Sequence, residues 1–254
     1  MVTGKCHICG AFGKLSFEHS PPRKAFNNDV VLYAEMQKLW AGGDPNVLTG
    51  TPSQRGVGAY TLCESCNNST GSWYGSAYVS LAKQGMEYLQ AARAAGYYMN
   101  LPYRIHPLRA IKQVICMFMS ANSPEFQKAQ PELARFVLDR RTRHLPSHIR
   151  VSAFFTISDR SRSSGVAGLM TGFGIDSCKN YILSEITFPP FGFVMSLGSP
   201  APDERLADIT YFADFGYDDE RALWLRLAVL PIYTGFPGDY RPREKVLRDG
   251  GRLP

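Results

Sequence analysis

The sequence has no apolar run long enough to cross a membrane. Spanning a bilayer takes about 20 consecutive apolar residues, and no segment of this 254-residue chain approaches that length. Its first residues reach Lys5 and Cys6 without the apolar stretch of a signal peptide. These two absences predict a cytoplasmic protein that does not bind membranes.

Cysteine is scarce, with six residues in 254, and its spacing is not that of a disulfide framework. Two Cys-x-x-Cys pairs account for four of the six: Cys6, Cys9, Cys63 and Cys66. Together such pairs supply the four thiolates of a tetrahedral zinc site. Four protein ligands leave no position for water or substrate, so the sequence predicts a structural zinc ion. The alternative is that the pairs arise by chance in a reducing compartment.

Acidic residues are too few to balance the basic ones, which leaves a formal charge of +6. The excess is small in the first 80 residues and larger downstream, where seven arginines fall between residues 135 and 162. This segment is a predicted phosphate-contacting stripe, with Arg140, Arg141 and Arg143 as its central contacts. A solvated surface is the alternative interpretation, since basic runs are common on protein exteriors.

Hydrophobic patterning predicts an α+β fold in two domains, residues 1–96 and residues 97–254. In the first domain it predicts a strand over Lys14–Glu18, a helix over Ala25–Trp40, a loop over Asn46–Gly58, a strand over Ala59–Leu62 and a helix over Ser72–Ala95. The helix over 25–40 is interpreted as an insertion between the two strands.

Proline, tyrosine and histidine interrupt any helix over Gly96–Pro107, which predicts a linker between the domains. The second domain is predicted to be a mixed helical and antiparallel β-sheet module for target binding, dimerisation or sensing. Its predicted helices are Leu108–Ser120 and Pro124–Arg140. Its predicted strands are Val151–Ile157, Val166–Phe173, Tyr181–Phe188, Phe191–Leu197, Asp208–Phe215 and Leu223–Ile232, and a surface arm is predicted from Gly235 onward. Cys116 lies in an apolar stretch and is predicted to be a core residue.

Two short segments, FEHSPPR at 17–23 and LCESCNN at 62–68, resemble the halves of the HNH, or ββα-metal, nuclease motif in its zinc-stapled form. In that family a histidine follows an acidic residue or another histidine and precedes a proline by three positions. Here these are Glu18, His19 and Pro22. The family's last metal ligand follows the second Cys-x-x-Cys directly, which corresponds to Asn67. The resemblance covers about residues 5–75 and implies an N-terminal ββα-metal module.

The resemblance implies a metal-dependent DNA endonuclease. His19 would be the general base, because a histidine near its neutral form can take a proton from water at physiological pH. Glu18 and the Asn67 side-chain oxygen would hold a catalytic Mg²⁺ or Mn²⁺, since these hard cations take oxygen ligands. Arg23 and Lys24 are predicted phosphate contacts, with solvent-facing charges as the alternative.

Two features depart from the family pattern. Its middle asparagine, which fixes the histidine ring, falls on Gly58, and Asn46 and Gln54 are the candidates to replace it. The segment between the two halves is also long. Asn68 is a reserve ligand or a helix cap.

Three interpretations therefore stay open: a nuclease, a non-catalytic zinc-knuckle nucleic-acid-binding protein, and an interaction subunit whose site has decayed. The nuclease interpretation extends to a role in restriction or phage defence, with a regulatory or defence-system partner. A homodimer would be the simplest route to double-strand breaks.

Overall fold

A computed structural model describes residues 1–34, 50–92, 97–171 and 179–249 of the chain. These residues form a mixed α+β structure. Its strands are β1 (Thr3–Lys5), β2 (Phe12–His19), β3 (Val31–Tyr33), β4 (Thr51–Ser53), β5 (Gly58–Cys63), β6 (Tyr98–Ile105), β7 (Ile149–Phe155), β8 (Arg162–Thr171), β9 (Lys179–Phe188), β10 (Phe191–Leu197), β11 (Ala207–Asp208) and β12 (Arg221–Ala228). Its helices are α1 (Glu64–Gln90), α2 (Pro107–Ala121), α3 (Pro124–Ala129), α4 (Pro131–Leu138) and α5 (Arg243–Arg248), with a 3₁₀ helix over Thr210–Asp214.

The strands form two sheets and two ribbons, and all of their pairings are antiparallel. A three-stranded sheet has the order β1-β2-β5, and a five-stranded sheet has the order β11-β7-β10-β9-β8. Strands β6 and β12 form one ribbon, and the short strands β3 and β4 form the other. The small sheet holds the end of β2, where the predicted Glu-His pair lies.

Helix α1 links the small sheet to the rest of the molecule. It begins at Glu64, directly after Cys63, the first cysteine of the second Cys-x-x-Cys pair. Buried residues recur along it every three or four positions, which makes one side of the helix apolar. That side packs against α2, in which thirteen of the fifteen residues are buried. One hydrophobic core runs from Cys6 through both helices to the five-stranded sheet. The core therefore crosses residue 96, and the division into two domains there stays a prediction.

Several predicted elements differ from the structure. Part of the helix predicted over Ala25–Trp40 is strand β3, and its residues from 35 onward lie outside the described residues. The loop predicted over Asn46–Gly58 contains strand β4. The linker predicted over Gly96–Pro107 is wrong, because strand β6 occupies most of it and pairs along its whole length with β12.

Three further corrections concern the C-terminal half. The helix predicted over Pro124–Arg140 is divided into α3 and α4 at Pro131, whose ring nitrogen has no hydrogen to donate. The strand predicted over Asp208–Phe215 is mainly 3₁₀ helix. The predicted surface arm instead returns to the protein, since Tyr240 and Val246 are buried. In the parts of the chain that the structure describes, no helix combines the length and the apolarity that crossing a membrane requires.

Candidate active site and metal centre

The four predicted zinc ligands come together at one end of the small sheet. The sulfur atoms of Cys6, Cys9, Cys63 and Cys66 all lie within 4.8 Å of one another, a cluster that could hold a zinc ion. The pKa of Cys6 is lowered to about 4 because the Cys66 thiol donates a hydrogen bond to its sulfur. The same contact raises the pKa of the Cys66 thiol, so the fit to zinc rests on the four sulfur donors and their spacing.

Local structure explains how residues far apart in sequence reach this centre. The first Cys-x-x-Cys pair forms a tight turn closed by a hydrogen bond of 2.9 Å from the Gly10 amide to the Cys6 carbonyl. The second pair lies where β5 ends and α1 begins. The His7 ring bonds the Ser120 carbonyl of α2 at 3.2 Å and so ties the first turn to that helix.

The predicted Glu-His pair lies at the end of β2, with its two side chains on opposite faces of the strand. The His19 ring packs edge-on against Phe17, with 5.0 Å between the ring centroids, and Phe17 also contacts Tyr60. Glu18 points the other way and is only 7% exposed. This alternation is ordinary strand geometry, so the sheet separates the acid from the histidine.

The buried carboxylate of Glu18 makes no hydrogen bond or ion pair within the described ranges. Burial raises its pKa to about 7. It lies close enough to Cys116 of α2 to raise the pKa of that buried thiol as well. A charged carboxylate in such surroundings is unfavourable, and either protonation or a bound cation would stabilise it.

Asn67 joins the start of α1 to the strand that carries Glu18. Its side-chain amide nitrogen donates to the Ser16 hydroxyl at 3.0 Å and to the Phe17 carbonyl at 3.1 Å. Among the described residues, none donates a hydrogen bond to its side-chain oxygen. The two predicted oxygen ligands therefore lie on adjoining elements, and Asn67 bonds the residue next to Glu18.

The His19 ring is half-buried and lies beside the main chain of Arg55. Burial lowers its pKa, and the nearby positive charge of Arg23 lowers it further. The imidazole is therefore neutral at physiological pH, which is the form that accepts a proton. It lines a cavity of about 240 Å³ together with Phe17, Arg23, Asn28, Gln54 and Arg55.

The structure identifies a residue that the sequence did not single out. Asn27 is 1% exposed, and its side chain bonds Pro21, just after the Glu-His pair, and Val57, in the loop that follows Arg55. These bonds keep the Arg55 carbonyl next to the His19 ring. No local pattern marks Asn27, because its partner Val57 lies 30 residues further along the chain.

Gly58 explains why no asparagine occupies the expected middle position. A Cβ atom on Gly58 would lie 2.2 Å from the Glu18 carbonyl oxygen and 2.7 Å from the Phe17 ring. The close pairing of β2 and β5 therefore excludes a side chain there. Of the two candidate replacements, Gln54 lines the cavity and Asn46 lies outside the described residues.

The predicted phosphate contacts occupy different surroundings. Arg23 lines the cavity beside His19, and Lys24 is exposed next to it. Asn68 is exposed on α1. Arg140 lies over the rings of Trp73 and Tyr217, at 5.6 and 5.5 Å.

The arginines of the predicted stripe also differ in exposure and in bonding partners. Arg141 is exposed, and Arg143 donates to the carbonyl of Asp214. Arg162 is 4% exposed and forms a buried ion pair with Glu185, so it cannot contact phosphate from where it lies. The predicted stripe is wrong at Arg162.

No family model, curated protein or solved structure matches this chain. The class of protein is therefore defined by its own geometry. It is an α+β protein in which four cysteines that could hold a zinc ion bring a β-hairpin turn to the start of a long helix. Near the start of that helix Asn67 bonds the strand next to the buried Glu18, and the neutral His19 lies on the opposite face of the strand.

Proposed function

We propose that this protein is a metal-dependent HNH-type endonuclease that hydrolyses DNA phosphodiester bonds. The observation that carries the proposal is the buried Glu18 carboxylate, which has no partner among the described residues. It lies next to the strand position that Asn67 bonds from the start of α1. A divalent cation held by these two oxygen ligands would remove the cost of burying the charge.

The residues present fit Mg²⁺ or Mn²⁺ better than a softer metal. Both ions prefer oxygen ligands, and Mg²⁺ typically takes only one or two carboxylates from the protein, with water and substrate phosphate completing the shell. Glu18 would supply a carboxylate oxygen and Asn67 its side-chain oxygen. When bound, the cation would neutralise charge on the scissile phosphate and the leaving oxygen.

His19 is suited to activate the attacking water. In the neutral ring one of the two nitrogens is unprotonated and can accept a proton. That nitrogen would take the proton of a water molecule as its oxygen attacks phosphorus and the bond to the leaving oxygen breaks. The edge-on contact with Phe17 restricts the orientation of the ring.

Positive charges beside His19 support a phosphate ligand. Arg23 and Arg55 both line its cavity. The Arg55 guanidinium lies over the Phe17 ring, 5.5 Å from its centroid, and donates to the Tyr60 hydroxyl at 2.8 Å. These contacts hold it at the mouth of the cavity, where it would bind the DNA backbone.

A second candidate is a non-catalytic zinc-knuckle protein that binds nucleic acid. Gly58 favours it, because the asparagine of the HNH pattern is missing at that position. This candidate predicts salt-sensitive DNA binding that does not change when His19 is replaced. A role in restriction or phage defence and assembly as a homodimer are extensions of the nuclease proposal.

The test is cleavage of supercoiled plasmid with Mg²⁺, with Mn²⁺ or without a divalent ion, after zinc content and folding have been verified. We expect nicking that requires the ion and that falls at least about 100-fold in His19→Ala, the usual effect of losing a general base. His148→Ala is the matched control, because His148 is exposed and bonds only Gln130 in the described chain. Inactivity of the parent and both variants, with DNA binding intact, would favour the second candidate.

A further inference from the structure

The ribbon of β6 and β12 presents an outer face with unusual composition. Residues alternate between buried and exposed along both strands, so each strand points every second side chain to solvent. The exposed residues of the outer face are Tyr98, Asn100, Pro102, Arg104, Ala222, Trp224 and Arg226. They include two aromatic rings and two arginines, and no carboxylate.

Trp224 is the centre of this face. It is 67% exposed, although an indole ring is among the costliest groups to leave in water, and its cross-strand neighbour is Pro102. Arg226 lies two positions along the same strand, with its guanidinium 4.4 Å from the centroid of the Tyr98 ring. Arg104 lies on the other side of the tryptophan and pairs with Glu220 at 2.8 Å.

Side chains of α1 cover the edge of β6, whereas the outer face of the ribbon is exposed. The side chain of Gln84 exchanges hydrogen bonds of 3.0 Å with the main chain of Arg104, as a neighbouring strand would. Tyr88 donates to the Pro102 carbonyl at 2.6 Å. Because helix side chains occupy that edge of β6, a partner would bind through side chains rather than by adding a strand.

We propose that this outer face binds single-stranded DNA. An exposed indole beside a stacked tyrosine and arginine offers a platform for unpaired bases, and Arg226 would contact a phosphate. Glu220 at the edge of the face is already paired with Arg104, so the described residues of the face offer no unpaired carboxylate to accept a hydrogen bond from a ribose 2′-hydroxyl.

The ribbon lies well away from the candidate active site. Asn67 and Gln84 are separated by 17 helical positions, or about 25 Å along α1. The face is therefore a separate contact, and binding to it does not depend on the proposed nuclease activity. It would hold a strand that has left the duplex while His19 faces the backbone to be cut.

The test is fluorescence anisotropy with a labelled twelve-nucleotide oligothymidine, without divalent ions and in the His19→Ala background. We expect Trp224→Ala to weaken binding about tenfold, the effect of losing one stacked base, and Trp224→Phe to retain most of the affinity. Arg226→Ala should lower the slope of log affinity against log salt concentration by about 0.7. Phe12→Ala, which removes a ring that is 76% exposed on another strand, is the matched control and should have no effect.

Several results would overturn the proposal. They are equal affinity of Trp224→Ala and its parent, no binding of the oligonucleotide by the parent, and tighter binding of oligouridine RNA than of DNA. A change in mass in sedimentation equilibrium on replacing Trp224 would identify the face as a self-association surface instead. If the parent protein binds oligothymidine but does not nick plasmid, the proposed nuclease function is contradicted and the proposed binding of single-stranded DNA is not.

Discussion

The side chain of Asn27 pairs with the main chain of Val57 in both directions. Its amide nitrogen donates to the Val57 carbonyl at 2.7 Å, and its oxygen accepts from the Val57 amide at 2.6 Å. A third bond, of 2.7 Å, reaches the Pro21 carbonyl. One buried residue thus ties the turn after His19 to the loop that carries Arg55, which lines the same cavity as the histidine ring.

Replacing Asn27 should therefore lower both stability and activity. We expect Asn27→Ala to reduce the free energy of unfolding by about 2 to 4 kcal/mol, because it leaves buried main-chain groups unpaired. Asn27→Asp should be at least as damaging, since it turns a donor into a charge that faces two carbonyl oxygens. Urea denaturation measures the first effect and the plasmid nicking rate the second. Asn68→Ala is the exposed control, and an unchanged midpoint in Asn27→Ala would contradict the assignment.

The cysteine cluster predicts one zinc ion per chain. Metal analysis of the purified protein should find this ratio, and Cys66→Ser should lose the metal and unfold at a lower temperature, because the ion joins turns that are distant in sequence. Cys116→Ser is the matched control, because Cys116 is buried but lies outside the cluster. The zinc content of this variant should equal that of the parent. Full zinc occupancy in Cys66→Ser would exclude Cys66 as a ligand.

Glu18→Gln tests the proposed cation site without relying on catalysis. The parent should be stabilised by Mn²⁺, by about 2.7 kcal/mol when the ion is at about 100 times its Kd. The glutamine variant should lose most of this response while keeping its zinc, because it removes the only charged ligand. Glu64→Gln changes an exposed carboxylate in the first turn of α1 and should respond as the parent does. Thermal unfolding with and without Mn²⁺ gives the comparison, and equal responses in parent and Glu18→Gln would rule out this ligand.

Lys112 predicts a particular dependence of stability on pH. Its ammonium group is buried in α2 and donates to the carbonyls of Phe136 and Asp139 at the end of α4. Burial lowers its pKa from 10.5 to about 8. Between these values the unfolded chain binds the proton more tightly than the folded protein does, so stability rises with pH.

The comparison is parent against Lys112→Met, by urea denaturation from pH 7 to pH 10. The parent should gain about 1.4 kcal/mol per pH unit relative to the variant above its folded pKa. Other titrating groups, including the cysteines, contribute equally to both proteins and cancel in the difference. A difference that stays constant over this range would contradict the lowered pKa.

Arg141 is the residue of the arginine stripe best placed to contact phosphate, because it is exposed and its side chain makes no hydrogen bond or ion pair within the described ranges. Arg141→Ala should weaken duplex binding by a similar factor for every DNA sequence and lower the salt slope by about 1. Arg135→Ala is the control, since that exposed arginine pairs with Glu132 on α4. Titrations at several salt concentrations distinguish the two, and an unchanged slope would remove Arg141 from the interface.

Much of the local structure was predictable from short-range patterns. The spacing of the four cysteines predicted the metal cluster. The run of apolar residues over 108–120 predicted α2, and alternation predicted most of the five-stranded sheet. These patterns are readable because neighbouring residues share one face of a helix or a strand. The candidate pair Glu18 and His19 was found in the same way, as a local motif at the end of a predicted strand.

The tertiary structure decided what depends on distant partners. Strand β6 looked like a linker because its prolines and tyrosines carry no helical period, and only pairing with β12 makes it a strand. Asn27 became a positioning residue only because the fold brings Val57 to it. Arg162 left the predicted phosphate stripe because Glu185 binds it in the interior. Residue types and local spacing are thus properties of the chain itself, whereas burial and hydrogen-bond partners exist only once distant segments have packed together.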